Sequence, residues 1–335
     1  MRNFVTALMM LVPAALMAQD WEDRQVFNAD APGPALRILS STDTELFAPF
    51  IDDFVAGNRA VSVEYLVTGT ADIDRRFRAD PAAFDIVISS AMDLQFKLAN
   101  DGLARRLRDV DHPDWAHWRQ SLFAFTIEPA AIVINRAAFA GQAVPETRQD
   151  LIQALRARPE AFRGRVGTYD IRQSGLGYLF ATQDARASET FWRLMGVMGS
   201  LDVRLYCCSG DMIDDLTDGT IAVAYNVLGS YAAARIDSRD VLDIVFPQDF
   251  PTTMMRTAMV SADAPQPQAA ESFVRHLIAL QSGERNGILL LPPLQGPAAE
   301  AEPVTIALDP ALMTFLDALK RRKFLSEWED AVIQR

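Results

Sequence analysis

The sequence predicts an α/β protein of two lobes, each a mostly parallel sheet flanked by helices, with two crossing strands joining them. Three observations carry that expectation. Short apolar runs alternate with helical patterns along most of the chain. The runs end in small hydroxyl or glycine residues, as at Ser40-Ser41-Thr42, Ser89-Ser90, Ser174-Gly175 and Ser209-Gly210, and a helical pattern opens at each. Two longer extended segments, 123–135 and 252–261, interrupt the alternation and would carry the chain from one lobe to the other and back.

Residues 1–18 read as an export signal: Arg2, an apolar run too short to span a bilayer, and a small residue at Ala18. No cysteine follows the cut, so no lipid anchor is expected. The first strand is 35–40. Thr42 and Glu45 then have capping-box spacing, and the helix they open runs to 56, with Gly57-Asn58 as its stop. Pro49 requires that this helix start nearer Ala48 or kink. A strand at 61–67, a helix at 71–79, a nearly all-apolar strand at 84–89 and a helix at 92–100 follow. Strands that apolar suit a sheet covered on both faces.

The segment 109–120 is rich in aromatics and histidine, with Trp115 and Trp118 read as core or rim packing. After the first crossing, helices are expected near 149–157, 177–185, 188–198, 211–216 and 228–234, with strands near 165–168, 202–206, 220–225 and 241–246. After the return, 267–281 and 310–334 are helical and the Pro-rich piece 291–303 is a surface loop. The expected lobes are therefore 19–126 with 256–335, and 127–255.

The formal net charge of −12 argues against nucleic acid and anionic membrane surfaces as partners. Two adjacent cysteines, Cys207 and Cys208, cannot form a disulfide scaffold, and two small side chains at a strand end are favoured over a strained vicinal bridge. Three scattered histidines form no metal-ligand set, no G-x-S-x-G, H-E-x-x-H or C-x-x-C motif is present, and neither an enzyme nor a cofactor is expected.

Ligands of open α/β sheets sit beyond the carboxyl ends of the strands, where helix N-termini offer unpaired N–H groups. On that ground the candidate binding residues are Ser40, Ser41 and Thr42, then Ser89 and Ser90, then Ser174 and Gly175, then Ser209. Simple helix capping is the competing reading of each. Tyr225, Asn226 and Tyr231 lie where a buried strand gives way to a helix, a place that core packing alone explains poorly. Arg172 beside the Ser174 turn could pair with a phosphate or carboxylate, and Arg256 at the second crossing is a weaker candidate.

The stretch 218–231 (DGTIAVAYNVLGSY), with Leu36-Arg37-Ile38-Leu39-Ser40-Ser41, Phe84-Asp85-Ile86-Val87-Ile88-Ser89-Ser90 and the exported start, resembles the type II periplasmic solute-binding proteins of ABC importers. The resemblance is to the AfuA-like group, which includes binders of ferric ion, sugar phosphates and phosphonates. It implies a periplasmic monomer that captures a small solute in the cleft by hinge closure and docks on an inner-membrane permease. A small anionic organic solute, phosphorylated or carboxylated, is the expected ligand. A sensory protein signalling to a membrane histidine kinase and a ferric-ion binder are the alternatives. The adjacent tyrosine pair of the ferric binders is absent, since Ala232 follows Tyr231; Tyr225 and Tyr231 would have to converge to hold iron.

Overall fold

The computed structural model describes residues 21–235, 240–282, 290–294 and 305–334. The expected signal 1–18 and most of the loop 291–303 lie outside them. The chain first lays down β1 (Asp23–Phe27), β2 (Leu36–Ser40), β3 (Val63–Val67), β4 (Ile86–Ser89), β5 (His117–Trp118) and β6 (Leu122–Ala124). It then forms β7 (Glu128–Asn135), β8 (Val166–Tyr169), β9 (Arg204–Tyr206), β10 (Val223–Leu228), β11 (Leu242–Val245) and β12 (Thr253–Met254), and finally β13 (Thr257–Val260).

Two sheets result. The first has the order β1-β3-β2-β4-β13-β6-β5, and the second β11-β7-β10-β8-β9 with β12 pairing β7. Both are mixed rather than mostly parallel. In each, three strands are parallel, β3-β2-β4 and β10-β8-β9, and the remainder join antiparallel. The crossing segments explain this. β6 and β13 enter the first sheet, and β7 and β12 the second, from chain running in opposite directions through the hinge, so they pair antiparallel. β1 gave no apolar signal because four of its five residues are exposed; it attaches to β3 as a polar edge.

Helices α1 (Thr44–Gly57), α2 (Thr70–Ala79) and α3 (Met92–Asn100) cover the first sheet, and α4 (Arg148–Ala157), α5 (Pro159–Phe162), α6 (Gly175–Ala187), α7 (Thr190–Ser200), α8 (Ser209–Thr217) and α9 (Gly229–Ala234) the second. The chain closes with α10 (Pro267–Ser282) and α11 (Ala318–Val332). The expected capping box at Thr42 and Glu45 is not formed: α1 starts at Thr44 behind Asp43, whose side chain makes no cap bond, and runs through Pro49. Asp43 and Thr42 are committed to partners outside the helix, described below.

The assignment of all of 256–335 to the first lobe fails for α11. Phe324, Trp328 and Val332 are buried in the same core as Phe191, Leu194 and Met198 of α7, and the Phe324 and Phe191 rings stack at 6.4 Å. An apolar helix face states that it will be buried and not against what, so the assignment of this helix followed chain order alone. α10 stays with the first sheet, where Phe273 meets Phe54 at 4.9 Å.

Candidate functional site

The chain passes between the sheets at 125–127 and at 255–256. Both passages meet in one buried network. Arg256, fully buried, donates from Nε to Glu128 Oε1 at 2.9 Å and from a terminal nitrogen to Thr42 Oγ1 at 2.6 Å. Thr126 and Ser230 donate their hydroxyls to the same Glu128 carboxylate at 2.7 and 2.5 Å. Burial pushes the Glu128 carboxyl up, but the Arg256 charge and these donors outweigh it and hold the group below its ordinary range. Arg256 is thus a hinge residue rather than a ligand, and Thr42 is its acceptor rather than a binding hydroxyl.

Beside the hinge, a narrow cavity of about 40 Å³ lies between the lobes. That is room for a few water molecules, so a larger solute requires the jaws to part. The first lobe lines it with Glu22, Ser41, Asp43, Thr68, Thr70 and Ser90; the second does so with Tyr169, Ser174, Cys207, Cys208, Ser209 and Tyr231. A wider opening of about 450 Å³ continues from Glu22, Asp43, Cys207 and Cys208 toward Gly210, Asp211 and Arg235.

The strand ends decide which expected residues face this space. Ser41 and Ser90 do, with their hydroxyls 3.5 Å apart. Their neighbours Ser40 and Ser89 do not: Ser40 Oγ accepts from Tyr65 at 2.7 Å, and Ser89 Oγ accepts from the Ala91 amide at 3.1 Å. Successive side chains of a strand point to opposite faces, and here one of each pair turns inward. Ser174 caps α6 by accepting from the Gly177 amide at 3.1 Å while lining the cleft. The α6 amides expected to hold an anion already have a partner: Gly175 and Leu176 both donate to Thr70 Oγ1 of the opposite lobe, at 2.8 and 3.2 Å. Gly175 also permits the approach itself, because a methyl there would lie 2.9 Å from Leu94 of α3 and 3.2 Å from Ala91 just before it. Ser209 is not the cap of α8, which is Cys208; its hydroxyl lies 2.5 Å from Tyr169 Oη.

Tyr231 spans the cleft: its hydroxyl donates to Asp43 Oδ1 at 3.2 Å and accepts from the Asp43 amide at 3.4 Å. Burial raises both groups above their ordinary values, well above in the case of Tyr231. Burial also raises Glu22, and the nearby charges of Asp43, Asp72 and Asp211 add to that. Tyr225, Asn226 and Arg172 lie elsewhere. Tyr225 donates to Asp184 Oδ2 at 2.5 Å and accepts from Arg148 Nε at 2.7 Å, inside the second lobe. Asn226 donates to the same Asp184 oxygen at 2.8 Å. Arg172 is engaged by Asp170 through two bonds of 2.8 and 2.7 Å and faces Glu329 of α11. Tyr225 and Tyr231 therefore do not converge, and iron held by that pair is ruled out. Sequence reasoning missed Glu22, Asp43 and Thr70; Thr70 sits at the first position of α2, in the short turn Thr68-Gly69-Thr70 past the apolar end of β3, which was a readable signal.

No family model matches the chain, and no curated protein matches it. Solved structures do. The substrate-binding protein of an ABC transporter from Agrobacterium tumefaciens is 29% identical, with a TM-score of 0.85 over 92% of this chain and 98% of that one. AfuA from Actinobacillus pleuropneumoniae with fructose-6-phosphate bound is 14% identical, with a TM-score of 0.70 over 89% and 98%. Iron-bound HitA from Pseudomonas aeruginosa is 14% identical, with a TM-score of 0.64 over 89% and 99%. The chain has the two-lobed fold of the substrate-binding proteins of ABC transporters, the type II periplasmic binding fold that AfuA and the ferric-binding proteins also adopt.

Proposed function

We propose that this chain is the periplasmic substrate-binding component of an ABC importer, capturing a small polar solute between its lobes and presenting the closed form, as a monomer, to an inner-membrane permease. The observation that supports this most is the direct bonding across the cleft, Thr70 to the α6 amides and Tyr231 to Asp43, beside a hinge of two extended crossings. A solute that replaces those bonds touches both jaws at once. It therefore stabilises the closed arrangement over the open one and shifts the population toward it. No helix among the described residues is long and apolar enough to cross a membrane, in keeping with an exported receptor.

The sequence expected a phosphorylated or carboxylated occupant, and the sugar phosphate bound to AfuA keeps that class under test. The lining weighs toward a different charge. Among the described residues no lysine or arginine lines the narrow cavity, whereas Glu22 and Asp43 do, together with neutral hydroxyls. Such a lining suits a solute that presents a cation or hydrogen-bond donors to the first lobe. A thermal-shift panel of sugar phosphates, phosphonates, di- and tricarboxylates, amines, ferric ion and divalent cations tests the reading; one class should raise Tm. If no member raises Tm or narrows the solution envelope, the receptor reading fails.

A further inference from the structure

Resting on the receptor reading, we infer that the cargo includes a thiophilic divalent metal ion, held by Cys207, Cys208 and Asp211 of the second lobe and by Asp43 of the first. The two thiol sulfurs and an Asp211 carboxylate oxygen lie within 4.8 Å of one another, close enough to share one ion. Cys207 Sγ already lies 3.5 Å from Asp211 Oδ2. Both cysteines are free thiols and line the interlobe cavity rather than a core, which the packing of two small side chains at a strand end does not explain.

Asp43 of the opposite jaw lines the same cavities as Cys207 and Cys208. A methyl group on Gly210, in the first turn of α8, would stand 3.5 Å from Asp43 Oδ2. Asp43 gives its other oxygen to Tyr231, so Oδ2 faces α8. Cysteine thiolates with carboxylate oxygens are a zinc-class donor set, since soft sulfur selects against magnesium and calcium. Among the described residues, Arg235 is the one cation lining the wider opening, and it pairs with Asp214 at 3.1 Å. An ion here takes ligands from both lobes, which is what closure of the hinge requires. On binding, the ion displaces the thiol protons to solvent, with no change of oxidation state.

The test uses the full exported chain, reduced and freed of metal with a chelator. Zn²⁺ titration by calorimetry and native mass spectrometry should show one ion per chain, and Co²⁺ should give thiolate-to-metal charge-transfer absorption. The Cys207→Ser/Cys208→Ser double variant should lose more than about 100-fold in Zn²⁺ affinity, beyond the cost of an outer-shell partner. Asp43→Ala should bind Zn²⁺ without the narrowing of the scattering envelope seen for the parent chain. Absence of Zn²⁺ binding by the reduced chain, or binding unchanged in the double variant with unchanged Tm, overturns the inference. If an organic solute closes the lobes while Zn²⁺ does not, the receptor reading stands and the metal falls. If neither does, both fall.

Discussion

Tyr225 of β10 and Tyr231 of α9 lie six residues apart, yet they belong to different parts of the molecule. Tyr225 is sealed inside the second lobe between Arg148 and Asp184, a buried pair 3.3 Å apart whose members are both inaccessible to solvent. Tyr231 lies in the cleft against an aspartate of the other lobe. Between them the chain changes course at Asn226 and then enters α9, which carries Tyr231. The Asn226 φ of 64° and the register shift of β10 between Tyr225 and Val227 insert a bulge, which breaks the alternation of faces before the strand ends. Two tyrosines that read alike in the sequence therefore serve different purposes, one fixing the second lobe and the other sensing its distance from the first.

The largest effect that tests this contrast is expected at Arg148. Arg148→Met leaves Asp184 buried without its cation and should cost about 3–5 kcal/mol in urea unfolding. Solute affinity of the folded fraction should stay unchanged, and a selective loss of affinity would break the contrast. Tyr225→Phe removes one donor to Asp184 and one acceptor from Arg148 and should cost about 1–3 kcal/mol of stability. Tyr231→Phe should behave the other way. It should cost at most about 1 kcal/mol of stability, while weakening whichever solute the thermal-shift panel identifies by about fivefold to tenfold. A Tyr231 variant with full affinity would remove the residue from the site.

A pH-dependent effect separate from this contrast concerns Asp93 of α3, which burial pushes up to about 7, with one carboxylate oxygen left without a partner. An acid whose value is raised on folding binds its proton more tightly in the native state. Its penalty is absent below about pH 4 and grows as pH rises toward 7, then levels off. Stability should therefore fall across that window in the parent chain, and the fall should be shallower in Asp93→Asn, measured by urea midpoint against pH. A parallel pair of curves would assign the pH dependence elsewhere.

The candidate site was partly legible. The rule that polar strand ends gather outside the sheets found Ser41, Ser90, Ser174, Ser209 and Tyr231, which do line the cleft. It also collected Ser40, Thr42, Ser89, Tyr225 and Asn226, because a serine facing a cleft and a serine turned into its own strand end read the same. Arg172 failed for a related reason: Asp170, two residues before it, neutralises it locally. Asp43 was passed over because a lone acid near a helix start reads as a dipole partner, and Glu22 because it precedes a polar edge strand that no apolar run marks.

What the sequence determined by itself is the alternation of strands and helices, the small hydroxyl residues at strand ends and the two extended crossings. These follow from periodicity and turn chemistry, which act between residues close in the chain. Tertiary structure decided the rest. It set which jaw each strand end faces, joined the last helix to the second core, and neutralised Arg256 with Glu128 at the hinge. The Tyr231–Asp43 contact joins residues 188 positions apart, and no local pattern carries a contact of that span. Its physical cause is the closing of one lobe on the other, which exists only once both have folded.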